Sequence, residues 1–200
     1  LTEYQQERLH ASREIGHRPM ESQALQAQGR IMGIYLGDYS SGLNVLEECR
    51  RILRGTRDAV HPLFHVAQIQ VAQADHIGAQ ETLDLIQEIG EPVKDRAQAS
   101  FILVRAMLSN ARGARAATRG SRDEVAEYLD ATLESVQAVL DLVENSPLVS
   151  LQYEMAAQCQ ASVAYLGLVH TTDDETVKER YLEKALTAAE RAYEIYEHFS

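Results

Sequence analysis

The sequence predicts an all-α protein, an α-solenoid in which helical hairpins follow one another along the chain. Apolar residues recur at i, i+3 and i+4 through most of the 200 residues, and the alternation typical of β-strands is almost absent. One segment is echoed 37 residues later. The four prolines each follow a polar or glycine-containing break and precede an apolar-periodic run, as expected of prolines in a first helical turn.

The repeat is clearest in GDYSSGLNVL at 37–46, which aligns without gaps with ADHIGAQETL at 74–83. A second pair of segments, REIGHRP at 13–19 and QEIGEP at 87–92, resemble each other in sequence. Ile15, Ile52 and Ile89 fall at steps of 37 residues. Two registers that agree on one period indicate a repeat protein.

Nine helices are predicted from these patterns. They lie at roughly 1–16, 20–36, 39–54, 60–74, 76–89, 93–112, 122–144, 148–169 and 174–199. We expect a single domain, residues 1–200, in which an incoming second helix (1–16) precedes four hairpins at 20–54, 60–89, 93–144 and 148–199. Because the apolar pattern runs to both ends, we also expect a fragment of a longer protein.

Small and polar residues mark the turns between these helices. Gly37 is predicted to end one helix in the left-handed conformation, and Asp38 to cap the next helix. Gly42 and its counterpart Ala79 are small enough to let neighbouring helix backbones approach closely. Each hairpin leaves an apolar face for the next one to cover, so we expect exposed apolar ends at Leu1–Leu9 and Tyr193–Phe199.

The segment from 29 to 46 carries a family resemblance. Its matching positions are Gly29, Tyr35, Gly37, Asp38, Tyr39, Gly42, Leu43 and Leu46. YLEKALTAAERAYEIY at 181–196 matches a second helix of the same pattern, and SREIGH at 12–17 a link between repeats. The chain thus resembles the tetratricopeptide repeat family and is similar to the sensor and interaction arms of large bacterial signal-transduction ATPases and transcriptional activators. The resemblance implies a right-handed α-solenoid of antiparallel hairpins whose first helices line a concave groove.

That implied groove places polar residues at candidate binding positions. They are Gln23, Gln26 and Arg30, then His61, His65 and Gln68, and then Gln98, Arg105 and Arg112. A polar, mostly uncharged groove suits hydrogen bonding to an extended segment of a protein or peptide partner, or of another domain of the same chain. The alternative is that these residues form the solvent face of amphipathic helices.

Arginines cluster in two places. There is no acidic residue between Arg96 and Arg122, a stretch that also holds Arg105, Arg112, Arg115 and Arg119. A smaller cluster contains Arg50, Arg51, Arg54 and Arg57. Either group suits an acidic peptide, a phosphate or an acidic domain; the alternative is a solvated rim of a loop. The segment 111–120 is predicted to be a flexible connection between helices.

Composition argues against several classes of protein. The formal charge of −11 disfavours a direct nucleic-acid binder, and the chain has no run of 18 apolar residues and no visible signal peptide. Cys49 and Cys159 are predicted to be buried thiols in a reducing compartment, so we expect a cytoplasmic protein without membrane contact.

No motif predicts an enzyme, a metal site or a cofactor. His61 and His65 have the i, i+4 spacing of two metal ligands, but no third ligand lies nearby in the sequence. We therefore expect a non-enzymatic scaffold for protein–protein interaction. The alternative is a small-molecule effector-sensing arm of a signal-transduction ATPase or transcriptional regulator, which predicts a closed pocket near the long third hairpin.

Overall fold

The computed structural model of the chain describes residues 2–89, 96–146 and 149–199. Within these ranges the regular structure is helical and no strand occurs, so the all-α prediction is confirmed. The α-helices are α1 (Thr2–Glu14), α2 (Arg18–Arg30), α3 (Tyr39–Ile52), α4 (Val60–Ala72), α5 (His76–Ile89), α6 (Arg96–Thr118), α7 (Arg122–Asn145), α8 (Leu151–Leu168) and α9 (Glu175–Phe199).

The predicted boundaries hold to within a few residues, with the second predicted helix completed by a π-helical segment (Ile31–Tyr35), except at the end of α6. This helix continues to Thr118 through most of the segment 111–120, so the prediction of a flexible connection there is wrong. Alanine and arginine favour helix, and the buried Gly113 lies where an added Cβ would be 3.0 Å from Leu129 of α7. The predicted helix starts at Pro92 and Pro147 lie outside the described residues.

The chain forms two compact units, residues 1–92 and 93–200. In the first unit each helix from α1 to α5 contacts the next one, and α2 also contacts α4. In the second unit α6 to α9 contact one another in sequence, and α6 also contacts α8. The prediction of one domain over all 200 residues stays a prediction.

The turn between α2 and α3 has the geometry expected from its residues. A π-helical segment, Ile31–Tyr35, follows α2 directly, and Gly37 then has a φ of +71°. Asp38 accepts a hydrogen bond from the backbone N–H of Ser41 at 3.2 Å. Hydrogen bonding to the Ser41 side chain and then to its backbone N–H lowers the pKa of this carboxyl. Both predictions for Gly37 and Asp38 are confirmed.

Glycines bring the backbones of the first unit close together. A Cβ on Gly42 of α3 would lie 2.7 Å from both the N and the Cα of Gly33, and 2.9 Å from the carbonyl oxygen of Gly29. A Cβ on Gly29 would meet Leu46, which is fully buried. The expected close approach at Gly42 is thus confirmed, and it occurs against α2 and the π-helical segment.

The turn between α4 and α5 repeats the turn between α2 and α3, but it has an alanine where the first turn has Gly37. Ala74 has a φ of +59°, and Asp75 accepts a hydrogen bond from the backbone N–H of Gly78 at 2.9 Å. An alanine in the left-handed region is strained by about 1–2 kcal/mol.

Replacing Ala74 with glycine should therefore stabilise the first unit. We expect a gain of about 0.5–1 kcal/mol in the free energy of unfolding, since relief of the strain exceeds the added entropy of the unfolded chain. Ala72→Gly is the matched control, because Ala72 is exposed and helical, and it should lose a similar amount. Urea unfolding measures both changes, and a loss of stability in Ala74→Gly would contradict the account.

The two cysteines and the two chain ends agree with expectation only in part. Cys49 is buried, and burial raises its pKa to about 11, but Cys159 is exposed on α8, so the prediction of burial is wrong there. Tyr193 and Tyr196 are exposed, as predicted for an apolar end, whereas Leu9 packs against a buried cluster that includes Leu25.

Candidate functional site

Four of the predicted binding residues lie close together on α2 and α4. Arg30 is at the C-terminal end of α2, and His61, His65 and Gln68 follow one face of α4. His65 Nδ1 and Gln68 Oε1 are 3.0 Å apart, and His61 Nε2 lies 3.8 Å from Asp58 Oδ1. Arg30 lies near enough to His65 to act on it electrostatically, so α2 and α4 bring these polar side chains into one area. We call these four residues the α2–α4 face.

His65 is the electrostatic centre of this face. Burial lowers its pKa below the ordinary value, the hydrogen bond to Gln68 opposes that shift, and the charges of Arg30 and His61 lower the pKa further. The imidazole is therefore neutral at physiological pH and presents hydrogen-bonding groups rather than a charge.

The lowered pKa of His65 makes the free energy of unfolding depend on pH. Since its pKa in the folded chain lies below the unfolded value of about 6.5, the unfolded chain takes up this proton first as the pH falls. The contribution of neutral His65 is complete above about pH 6.5 and is lost as the pH falls towards the folded pKa.

When the pH is lowered from about 7.5 to about 5, the free energy of unfolding should therefore fall less in the His65→Gln variant than in the natural chain. Urea unfolding at the two pH values measures this difference. NMR titration of the imidazole signal that disappears in His65→Gln gives the pKa directly. A His65 pKa above about 6.5 would contradict this electrostatic account.

The other predicted residues are placed differently. Gln23 accepts a hydrogen bond from Arg8 of α1 at 2.7 Å. Gln26 lies near the Cys49 thiol of α3, which itself donates a hydrogen bond to the carbonyl oxygen of Ser22 at 3.3 Å. Both already serve contacts between neighbouring helices. Gln98, Arg105 and Arg112 lie on α6 of the second unit, where Arg105 donates to Ser135 Oγ at 3.5 Å. A binding role for all nine predicted residues stays a prediction.

The π-helical segment adds apolar exposure beside Arg30. Ile34, Tyr35 and Leu36 are exposed, and the Arg30 guanidinium carbon lies 5.9 Å from the centre of the Tyr35 ring. Tyr35 is one of the positions that match the repeat pattern, and 69% of its surface is exposed. The π-helical geometry of this segment was not predicted from the sequence.

The arginines between 105 and 122 are partly neutralised within the chain. Arg122 forms two hydrogen bonds with Asp173, of 2.7 and 3.0 Å, and Arg119 pairs with Glu124 at 2.9 Å. The pKa of Asp173 is lowered by this contact with Arg122. These pairs leave fewer free guanidinium groups than the sequence suggested.

The smaller arginine cluster lines an open cleft of about 640 Å³ in the first unit. Arg50, Arg51, Arg54 and Arg57 line it together with Leu85 and Ile89 of α5. The two apolar residues were not predicted, since their spacing is that of ordinary core positions. In the second unit, near the turn between α6 and α7, a cavity of about 180 Å³ is smaller than usual for a small-molecule site.

No protein family model, curated protein or solved structure matches the chain. The resemblance to tetratricopeptide repeats therefore rests on the residues themselves, and the helical architecture is compatible with a helical repeat array.

Two further observations hold for the described residues alone. Across 2–89, 96–146 and 149–199, no helix combines the length and the apolar character that crossing a bilayer requires. The same ranges contain no group of three or more His, Cys, Asp or Glu side chains placed to share a metal ion.

Proposed function

We propose that the chain is a non-enzymatic module for protein interaction, in which the helices of each unit stack as antiparallel hairpins of a right-handed α-solenoid. In both units consecutive helices are in contact, and the first helices of successive predicted hairpins also touch, α2 with α4 and α6 with α8. Stacked hairpins produce this combination of contacts. The same scaffold supports recognition of a partner by preformed surfaces rather than by chemistry.

The α2–α4 face is the proposed surface for an extended segment of a partner protein, or of another domain of the same chain. The observation that carries this proposal is the convergence of Arg30, His65 and Gln68. They supply a cation, a neutral imidazole and an amide within one partly exposed area beside the Tyr35 ring. Such a set provides hydrogen bonds to a peptide backbone and one aromatic anchor.

Photocrosslinking in cells tests where the partner binds. A photoreactive amino acid at Arg30 or Gln68 should form a crosslink to a protein, or to another domain of the same chain. The same group at Glu81, exposed on α5, is the control and should give no such product. The proposed surface would be contradicted if position 81 gave as much crosslinked product as positions 30 and 68, or if positions 30 and 68 gave none.

A second candidate function is a small-molecule effector-sensing arm, which the cleft beside Arg51, Arg54 and Arg57 favours. Its volume of about 640 Å³ is within the usual range for small-ligand sites, about 300–1,000 Å³. An effector at 100 times its Kd should stabilise the folded chain by about 2.7 kcal/mol. A thermal-shift screen with metabolites measures this, and a flat response throughout would remove the alternative.

A further inference from the structure

The cleft at the C-terminal ends of α3 and α5 has an unusual balance of charge. Glu47 also lines it and pairs with Arg50, Nε to Oε2, at 2.8 Å. Within the described part of the chain, no carboxylate forms an ion pair with Arg51, Arg54 or Arg57. Among the described residues, three guanidinium groups thus have no carboxylate partner, in a chain whose net charge is −11.

Helix electrostatics account for only part of this cluster. Arg50 and Arg51 lie in the last turn of α3, where a positive charge favours the helix dipole. Arg54 and Arg57 lie beyond that helix, in the connection to α4, and both are exposed. The dipole gives no reason for these two arginines to line the same cleft.

The opposite wall of the cleft is apolar. Leu85 is partly buried, and Ile89 has 43% of its surface exposed although it lies on the side of α5 that meets the cleft. A ligand that contacts both walls favourably would combine a compact, multiply charged anionic group with an apolar part. A phosphate group provides three acceptor oxygens and nearly two negative charges, which suits several guanidinium groups at once.

We propose that this cleft binds a phosphate ester of a small organic molecule. Arg51, Arg54 and Arg57 hold the phosphate, and the organic part lies against Leu85 and Ile89. A compact anion fits better than a large acidic protein, because the remaining acidic surface of this chain repels an extended polyanion. The proposal specifies the ligand class for the effector-sensing alternative and does not involve the α2–α4 face.

NMR titration of the full chain with phenyl phosphate tests the site, with the arginine Nε–H signals as the readout. For a ligand of this size we expect a Kd of about 4 mM and saturable shifts at Arg51, Arg54 and Arg57. Methyl phosphate, which lacks the apolar ring, should bind several-fold more weakly. The Ile89→Ser substitution removes part of the apolar wall, so phenyl phosphate and methyl phosphate should then bind with similar affinity.

Charge reversal identifies the residues that hold the anion. The double variant Arg51→Glu, Arg54→Glu should weaken binding at least about tenfold, so that the shifts no longer saturate below about 20 mM. Arg115→Glu, Arg180→Glu changes the net charge equally at two exposed arginines of the second unit and should leave the Kd within about twofold. Circular dichroism verifies that both variants are folded.

Three outcomes would overturn the proposal. They are the absence of saturable shifts at the three arginines, an equal loss of binding in the control variant, and tighter binding of a hexaglutamate peptide than of phenyl phosphate. Stabilisation by a metabolite without a phosphate, together with no phosphate binding, would refute this ligand class but leave the effector-sensing function standing.

Discussion

Replacing Gly42 with valine is expected to lower the free energy of unfolding of the first unit by about 3 kcal/mol or more. A Cβ at this position would lie 2.7 Å from the N and the Cα of Gly33 and 2.9 Å from the carbonyl oxygen of Gly29. All three atoms belong to the backbone, so no side chain can rotate away. The helices must separate, and the buried contacts around Leu46 are lost with them.

Asn44→Val is the matched control for this substitution. Asn44 is exposed on the same helix, so it introduces the same residue without a steric conflict and should change stability by about 0.5 kcal/mol at most. Urea unfolding followed by circular dichroism compares the two variants. Equal midpoints for Gly42→Val and Asn44→Val would show that α3 does not approach the preceding backbone as described.

Replacing Leu129 with alanine should destabilise the second unit by about 3–4 kcal/mol. Leu129 of α7 is 3% exposed and belongs to a buried cluster with Ala116, Val125 and Leu168. A Cβ at Gly167 of α8 would lie only 2.5 Å from its Cδ1 atom. Because a glycine has no side chain that can fill the space, the cavity left by the substitution should collapse poorly.

Leu186→Ala provides the comparison within the same unit. Leu186 is 59% exposed on α9, so its truncation removes little buried area and should cost well under 1 kcal/mol. Thermal unfolding of both variants measures the difference. A similar loss of stability in the two would contradict the packing of α7 between α6 and α8.

The sequence predicted the parts of the fold that depend on local rules. The left-handed Gly37 and the cap at Asp38 follow from backbone and hydrogen-bonding rules that act within a few residues, and the small Gly42 was recognised from its place in the repeat. The extension of α6 was missed because its glycines and arginines look like a loop until Gly113 is seen against Leu129. Similarly, Ala74 adopts the left-handed conformation that its Cβ atom disfavours, because the surrounding helices impose the turn.

The candidate sites depended more on tertiary contacts. The spacing of polar residues placed Arg30, His65 and Gln68 on their helices, but it did not show that Gln23 accepts a hydrogen bond from Arg8 or that Gln26 lies near Cys49. Such pairings join residues from different helices, which a periodic pattern does not specify.

The cleft illustrates the same limit. The arginines from 50 to 57 were visible as a cluster, whereas the apolar wall comes from α5, about thirty residues later in the chain. Only the packing of α5 turns these residues into a possible site.

The affinity of the crosslinked partner for variants of the α2–α4 face tests the central proposal most directly. Arg30→Ala with Gln68→Ala should raise the Kd by about 10- to 100-fold, because anchor groups in the interface are removed. Glu81→Ala on α5 should leave the Kd within about twofold. The reverse order, with position 81 more important than positions 30 and 68, would contradict partner recognition by the α2–α4 face.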